Sequence, residues 1–114
     1  MQIILKLEDY FPKFNEIKQQ LTPDLDKKAK KKVAKEIKEL ADLIGEEIAT
    51  VSMEDFDLGT RITEVHCGLH GIAKLLLDGT YSSIDRPKQR IEEEYANLLN
   101  ITHSPAYKKF QVNA

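Results

Sequence analysis

Apolar residues recur at three- and four-residue steps along nearly the whole chain, the spacing that puts side chains on one face of a helix. Leu7, Phe11, Phe14, Ile17 or Lys18, and Leu21 predict a helix over about residues 9–21, with Asp9 as a cap and Pro12 in the first turn. Leu25, Ala29, Val33, Ile37, Leu40, Ala41, Ile44, Ile48 and Val51 form the longest stripe. It predicts a helix over about 23–49, with Thr22 at the N-cap and Pro23 at the first helical position. Gly45 interrupts this helix at a cost of about 1 kcal/mol relative to Ala. The stripe continues past it, so Gly45 reads as a contact face rather than a stop.

Ser52 and Asp55 read as a capping box ahead of a third helix over about 58–77. Leu58, Ile62, Val65, Leu69, Ile72 and Leu76 make its main stripe, and His66, Ala73 and Leu77 a second. So wide an apolar arc predicts the most buried helix of the fold. Asp78-Gly79 ends it with a residue that tolerates left-handed backbone. A fourth helix, capped by Asp85 or Ser83 and with Pro87 in its first turn, faces inward through Ile91, Tyr95, Leu98 and Leu99. Glu92, Glu93 and Glu94 are expected in solvent.

Four amphipathic helices with short links predict an all-α, antiparallel up-and-down four-helix bundle over residues 1–101. Residues 102–114 then form a C-terminal tail in which Tyr107, Phe110 and Val112 are free to dock. A chain of 114 residues with 41% hydrophobic and 32% charged residues suits a single globular domain with its own core. The net charge of −2 excludes a global attraction to nucleic acid or anionic membranes. The lone Cys67 excludes an internal disulfide. No run approaches the ~20 apolar residues of a membrane span. The opening MQIILKLEDY lacks the basic, apolar and small-residue regions of a leader, so a cytoplasmic location is expected. No glycine-rich phosphate loop is present and no cofactor is expected.

Reactive side chains concentrate in TRITEVHCGLHG, residues 60–71. His66 and His70, four apart, can supply two ligands to a metal ion, but a site needs more donors than these. The expectation is no metal, with His66 and His70 as the alternative pair. Cys67 lacks a facing base and is expected as a small buried apolar residue. Gly68 and Gly71 open a flat strip for close approach by a neighbouring helix or by a second copy in a homodimer.

The second helix carries Lys27, Lys28, Lys30, Lys31, Lys32, Lys35 and Lys38 in its first half and Glu36, Glu39, Asp42, Glu46 and Glu47 in its second. This order opposes the helix dipole. Lys32–Glu36, Lys35–Glu39 and Lys38–Asp42 pairs would run in the weaker lysine-first order. Helix stability therefore does not account for the polarity, which leaves two readings: a solvated surface with compensating pairs, or a basic end that meets an acidic protein partner. Without interleaved aromatics, nucleic acid is the poorer match.

Two family resemblances bear on function. Arg61 and His66 spell R-x4-H, which resembles the ribonuclease motif of HEPN domains. That resemblance implies charge stabilisation by Arg61 and proton transfer by His66 across a dimer. Residues 75–95, LLLDGTYSSIDRPKQRIEEEY, resemble the small four-helix lipoproteins that assist photosystem II assembly and repair. Gly79, Tyr81, Ser82, Ser83, Arg86, Pro87, Lys88, Arg90, Glu92 and Glu94 carry this likeness. It implies a non-enzymatic bundle that binds a large assembly, in the thylakoid lumen if a leader was removed.

The reading that best unites these features is a non-catalytic interaction module of assembly, adaptor or inhibitor type. Lys27, Lys28, Lys31 and Lys32 are expected to attract the partner, and Tyr107 and Phe110 to anchor it. The alternatives are the HEPN-type ribonuclease and an immunity or antitoxin-like inhibitor.

Overall fold

The computed structural model describes residues 5–112, and the side chains of Gln111 and Val112 lie outside that description. After a 3-10 turn at Leu7–Tyr10, the helices are α1 (Phe11–Gln20), α2 (Lys27–Gly45), α3 (Ile48–Glu54), α4 (Phe56–Leu77), α5 (Asp85–Thr102) and α6 (Pro105–Val112). Helix accounts for 81% of the structure, with no strand among the described residues, so the protein is all-α.

The four longest helices close a ring. Between α1 and α2, Gln20 Nε2 donates to Glu36 Oε2 (2.6 Å) and the Tyr10 hydroxyl to the Leu43 carbonyl (3.5 Å). Between α2 and α4, Gly45 lies against the His66 ring and Asp42 meets His70. Between α4 and α5, a Cβ on Gly68 would fall 2.7 Å from Glu94 Cδ, while Arg61 and Asn100 line one crevice. Lys18 pairs with Glu92 at 3.0 Å, and the Phe11 and Phe14 rings pack on Tyr95 at 4.9 and 5.7 Å, joining α5 to α1. In every pair one number rises as the other falls, so all neighbours run antiparallel. The bundle measures 46 × 19 × 18 Å.

Helix α4 is the central element, as its wide apolar arc predicts. Leu58, Ile62, Val65, Leu69, Ile72 and Leu76 are all at most 3% exposed. They meet Val33, Ile37, Leu40 and Ile44 of α2 and Ile91, Leu98 and Ile101 of α5 in one core. Leu77, by contrast, is 54% exposed.

Helix ends depart from expectation where caps compete. Helix α2 begins at Lys27 because Asp26, not Thr22, is the N-cap, accepting from the Ala29 N–H at 2.7 Å. Thr22 instead accepts from the Leu25 N–H in a tight turn. Gly45 is both a contact face and the last residue of α2. A Cβ there would meet the His66 ring at 2.8 Å, and the chain turns at Glu46–Glu47 into the separate helix α3. Asp55 caps α4 by itself, accepting from the Leu58 N–H at 3.1 Å, while Ser52 lies inside α3. Gly59 lets α3 cross α4 closely, since a Cβ on it would sit 2.9 Å from Ser52 Cα. Gly79 adopts φ +72°, and the Thr80 and Gly79 N–H groups bond back to the Leu75 and Leu76 carbonyls, closing α4 as predicted. Neither Asp85 nor Ser83 caps α5; its N-cap is Ile84, without a side-chain bond.

The expected tail is folded. Pro105–Val112 forms α6, and Tyr107 is 1% exposed in the core. A phenol ring buries a large apolar area, worth roughly 2–3 kcal/mol, which offsets part of the cost of ordering the segment. The boundary expected at 101/102 therefore does not separate core from tail. Glu94, expected in solvent, is 4% exposed. It fits against Gly68 and is held by Arg90 (2.9 Å) and Asn97 (3.2 Å).

Candidate functional site

The reactive stretch 60–71 lies wholly within α4, where each residue turns about 100° from the last. Its side chains therefore radiate instead of converging. Arg61 is exposed and lines a 150 Å³ crevice with Glu64, Val65, Asn97, Asn100 and Ile101 on the α5 side. His66 points the other way, half-buried against α2, with Nδ1 2.6 Å from the Ala41 carbonyl. Arg61 and His66 do not share a cleft.

His66 and His70 do meet, with ring centroids 4.7 Å apart and nearly perpendicular planes. His70 Nε2 lies 2.9 Å from Asp42 Oδ1. Among the described residues no group of three or more His, Cys, Asp or Glu side chains is placed to hold a metal ion. Cys67 is exposed, contrary to the buried position expected of it. It belongs to the outward line of α4 with Thr60, Glu64, Gly71 and Lys74, all exposed. Gly68 serves α5 of the same chain by accommodating Glu94, whereas a Cβ on Gly71 would touch nothing within 4 Å. The two glycines therefore do not form one strip.

The lysine-rich half of α2 gives the more coherent surface. Lys27, Lys28, Lys31, Lys32, Lys35 and Lys38 are exposed, and no ion pair engages them among the described residues. None of the expected pairs with Glu36, Glu39 and Asp42 forms: Glu36 is bonded to Gln20 and Asp42 to His70. Because α2 and the last turns of α4 meet through the small residues Ala34 and Ala73, the surface between them is an open groove of about 580 Å³. Ala34, Ala73 and Leu77 make its apolar floor. Lys31, Lys35, Lys38 and Lys74 stand on its walls, with His70 and Asp78. Four lysines thus line the groove against one carboxylate, Asp78.

Tyr107 is not available as a surface anchor. Its hydroxyl donates to the Leu5 carbonyl at 3.2 Å, and burial, reinforced by Glu8 and Glu47, pushes its pKa to about 12. Phe110 is half-buried against the core and lines a crevice with Glu54, Asp55, Ala106 and Lys109, away from the lysines. The lysines and the aromatic pair are thus separate features.

The chain matches no family model, no curated protein and no solved structure.

Sequence reasoning identifies the lysines but misses the groove beside them. Leu77 falls on an inward stripe of α4, and nothing in the pattern marks that α2 leaves it uncovered. Met53 and Phe56, 89% and 75% exposed, are the other missed feature. Their signal is that neither belongs to any helical stripe. No helix among the described residues is long and apolar enough to cross a membrane.

Proposed function

We propose that the protein is a non-catalytic interaction module that captures an acidic, apolar segment of a partner protein in the groove between α2 and α4. One observation supports this above the rest: Lys31, Lys35, Lys38 and Lys74, free of ion pairs among the described residues, surround an apolar floor of Ala34, Ala73 and Leu77. Apolar anchors of an amphipathic helix would lie on that floor while its carboxylates meet the lysines. Lys27, Lys28 and Lys32, exposed and without an ion pair among the described residues, widen the attracting field and speed encounter. Assembly factors, adaptors and inhibitors would use such a groove alike, and the likeness of residues 75–95 to photosystem II assembly lipoproteins agrees with a binding role. The exposed single thiol of Cys67 favours a reducing compartment such as the cytoplasm.

A labelled synthetic helix tests this reading, with leucines at i, i+3, i+4 and i+7 and glutamates elsewhere. Fluorescence anisotropy should show saturable binding that weakens at least about tenfold between low and high salt. The triple variant Lys31→Glu/Lys35→Glu/Lys38→Glu should lose the peptide while its far-ultraviolet circular dichroism stays unchanged. Equal binding of a lysine-substituted peptide, or undiminished binding by the triple variant, would remove the groove as the functional surface.

A further inference from the structure

Four large hydrophobic side chains are exposed among the described residues: Met53, Phe56, Leu75 and Leu77. Isolated exposed apolar residues are ordinary, but these are not placed at random. Leu77 belongs to the lysine-walled groove, and Met53 and Phe56 flank the corner where α3 meets α4. That corner, Met53-Glu54-Asp55-Phe56-Asp57, is apolar and acidic. Asp55 is engaged as the cap of α4, while Glu54 and Asp57 are exposed and make no ion pair among the described residues. Lys109 is the one base lining the adjoining crevice.

We infer that the Met53/Phe56 corner of one copy docks in the α2/α4 groove of a second copy, so that the protein assembles head to tail. This rests on the proposed reading of the groove and names an occupant for it. The chemistry matches on both counts: two exposed apolar side chains meet an apolar floor, and Glu54 and Asp57 meet Lys31, Lys35, Lys38 and Lys74. The contact must be between copies. Phe56 opens α4 and Leu77 ends it, a separation of about 32 Å at 1.5 Å per residue, so no chain reaches its own groove. Corner and groove are different surfaces, and such a contact leaves one of each unused at the ends of any open assembly. It therefore propagates as an open chain or a ring rather than closing as a two-fold dimer. A partner bearing a stronger acidic apolar segment would compete for the groove and disassemble the chain.

Sedimentation velocity from about 10 µM to about 1 mM, the range of weak contacts, tests this at low and high salt. Average mass should rise at least about twofold at low salt and fall back at high salt. Met53→Ser/Phe56→Ser should be monomeric yet bind the acidic peptide as the unmodified protein does. Leu77→Asp/Lys35→Glu should be monomeric and lose the peptide. Mixed, these two variants should form a one-to-one pair and stop, because only one competent interface remains. Glu54→Lys/Asp57→Lys should likewise abolish assembly, and Lys35→Glu/Lys38→Glu should restore it by exchanging the charges. A monomer at every concentration that still binds the peptide overturns the head-to-tail contact and leaves the groove standing. Loss of both overturns both. Assembly that survives either surface variant, or a mixture that stays monomeric, overturns the contact.

Discussion

The hydroxyl of Tyr107 donates to the main-chain carbonyl of Leu5 across 3.2 Å, tying together segments 102 positions apart. This bond makes α6 part of the bundle. Tyr107→Phe keeps the ring and removes the bond, and should cost about 1 kcal/mol at pH 7 in urea unfolding. The pH dependence gives a second check. Because the folded-state pKa stands near 12 against an ordinary 10, the contribution is complete below pH 10. As pH rises from 10 towards 12 the unfolded chain ionises first, and the contribution is lost. The gap between the two proteins should therefore narrow above pH 10, since phenylalanine cannot ionise.

Gly59 and Gly71 should respond oppositely to alanine. A methyl at Gly59 runs into the main chain of α3 at Ser52, so Gly59→Ala should destabilise by about 1–3 kcal/mol. A methyl at Gly71 enters open space in the middle of a helix, so Gly71→Ala should stabilise by about 0.5–1 kcal/mol. Paired thermal melts separate the two cases.

His66 is expected to matter for packing and Arg61 hardly at all. His66→Ala removes the bond to Ala41 and leaves space beside Gly45, and should cost about 1–3 kcal/mol. Arg61→Ala should stay within about 0.5 kcal/mol of the parent. Incubation with RNA should show no cleavage by any of the three proteins. Cleavage by the parent that both substitutions abolish would reinstate the ribonuclease reading.

Cys67 should react with a thiol reagent in the native state, without denaturant, because it lies on the outward line of α4. Cys67→Ser should leave stability within about 0.5 kcal/mol. A thiol that reacts only after unfolding would contradict this placement.

The long stripes reveal α1, α2, α4 and α5 because each buries one face in a single core, and that burial is what apolar spacing records. Helix ends are less legible. Thr22 and Asp26 are both competent caps, and only the folded chain shows that Asp26 takes the Ala29 N–H. Gly45 reads as a contact, yet its neighbour His66 does not prevent α2 from ending there. Glu94 sits in an acidic run that reads as solvated, and its burial depends on the space Gly68 leaves on another helix. Tyr107 lies in a short, polar segment whose weak periodicity hides a core residue. The candidate site divides in the same way. Its lysines are visible as a charge run, while the groove arises from where two helices stop covering one another.

Since Tyr107 completes a wall of the core, order of synthesis and order of assembly diverge. Helices α1, α2, α4 and α5 leave the ribosome before α6, and until it follows they enclose a hydrophobic interior with one side open to water. A chain cut short of residue 107 would therefore present a sticky, protease-sensitive intermediate instead of a smaller stable protein.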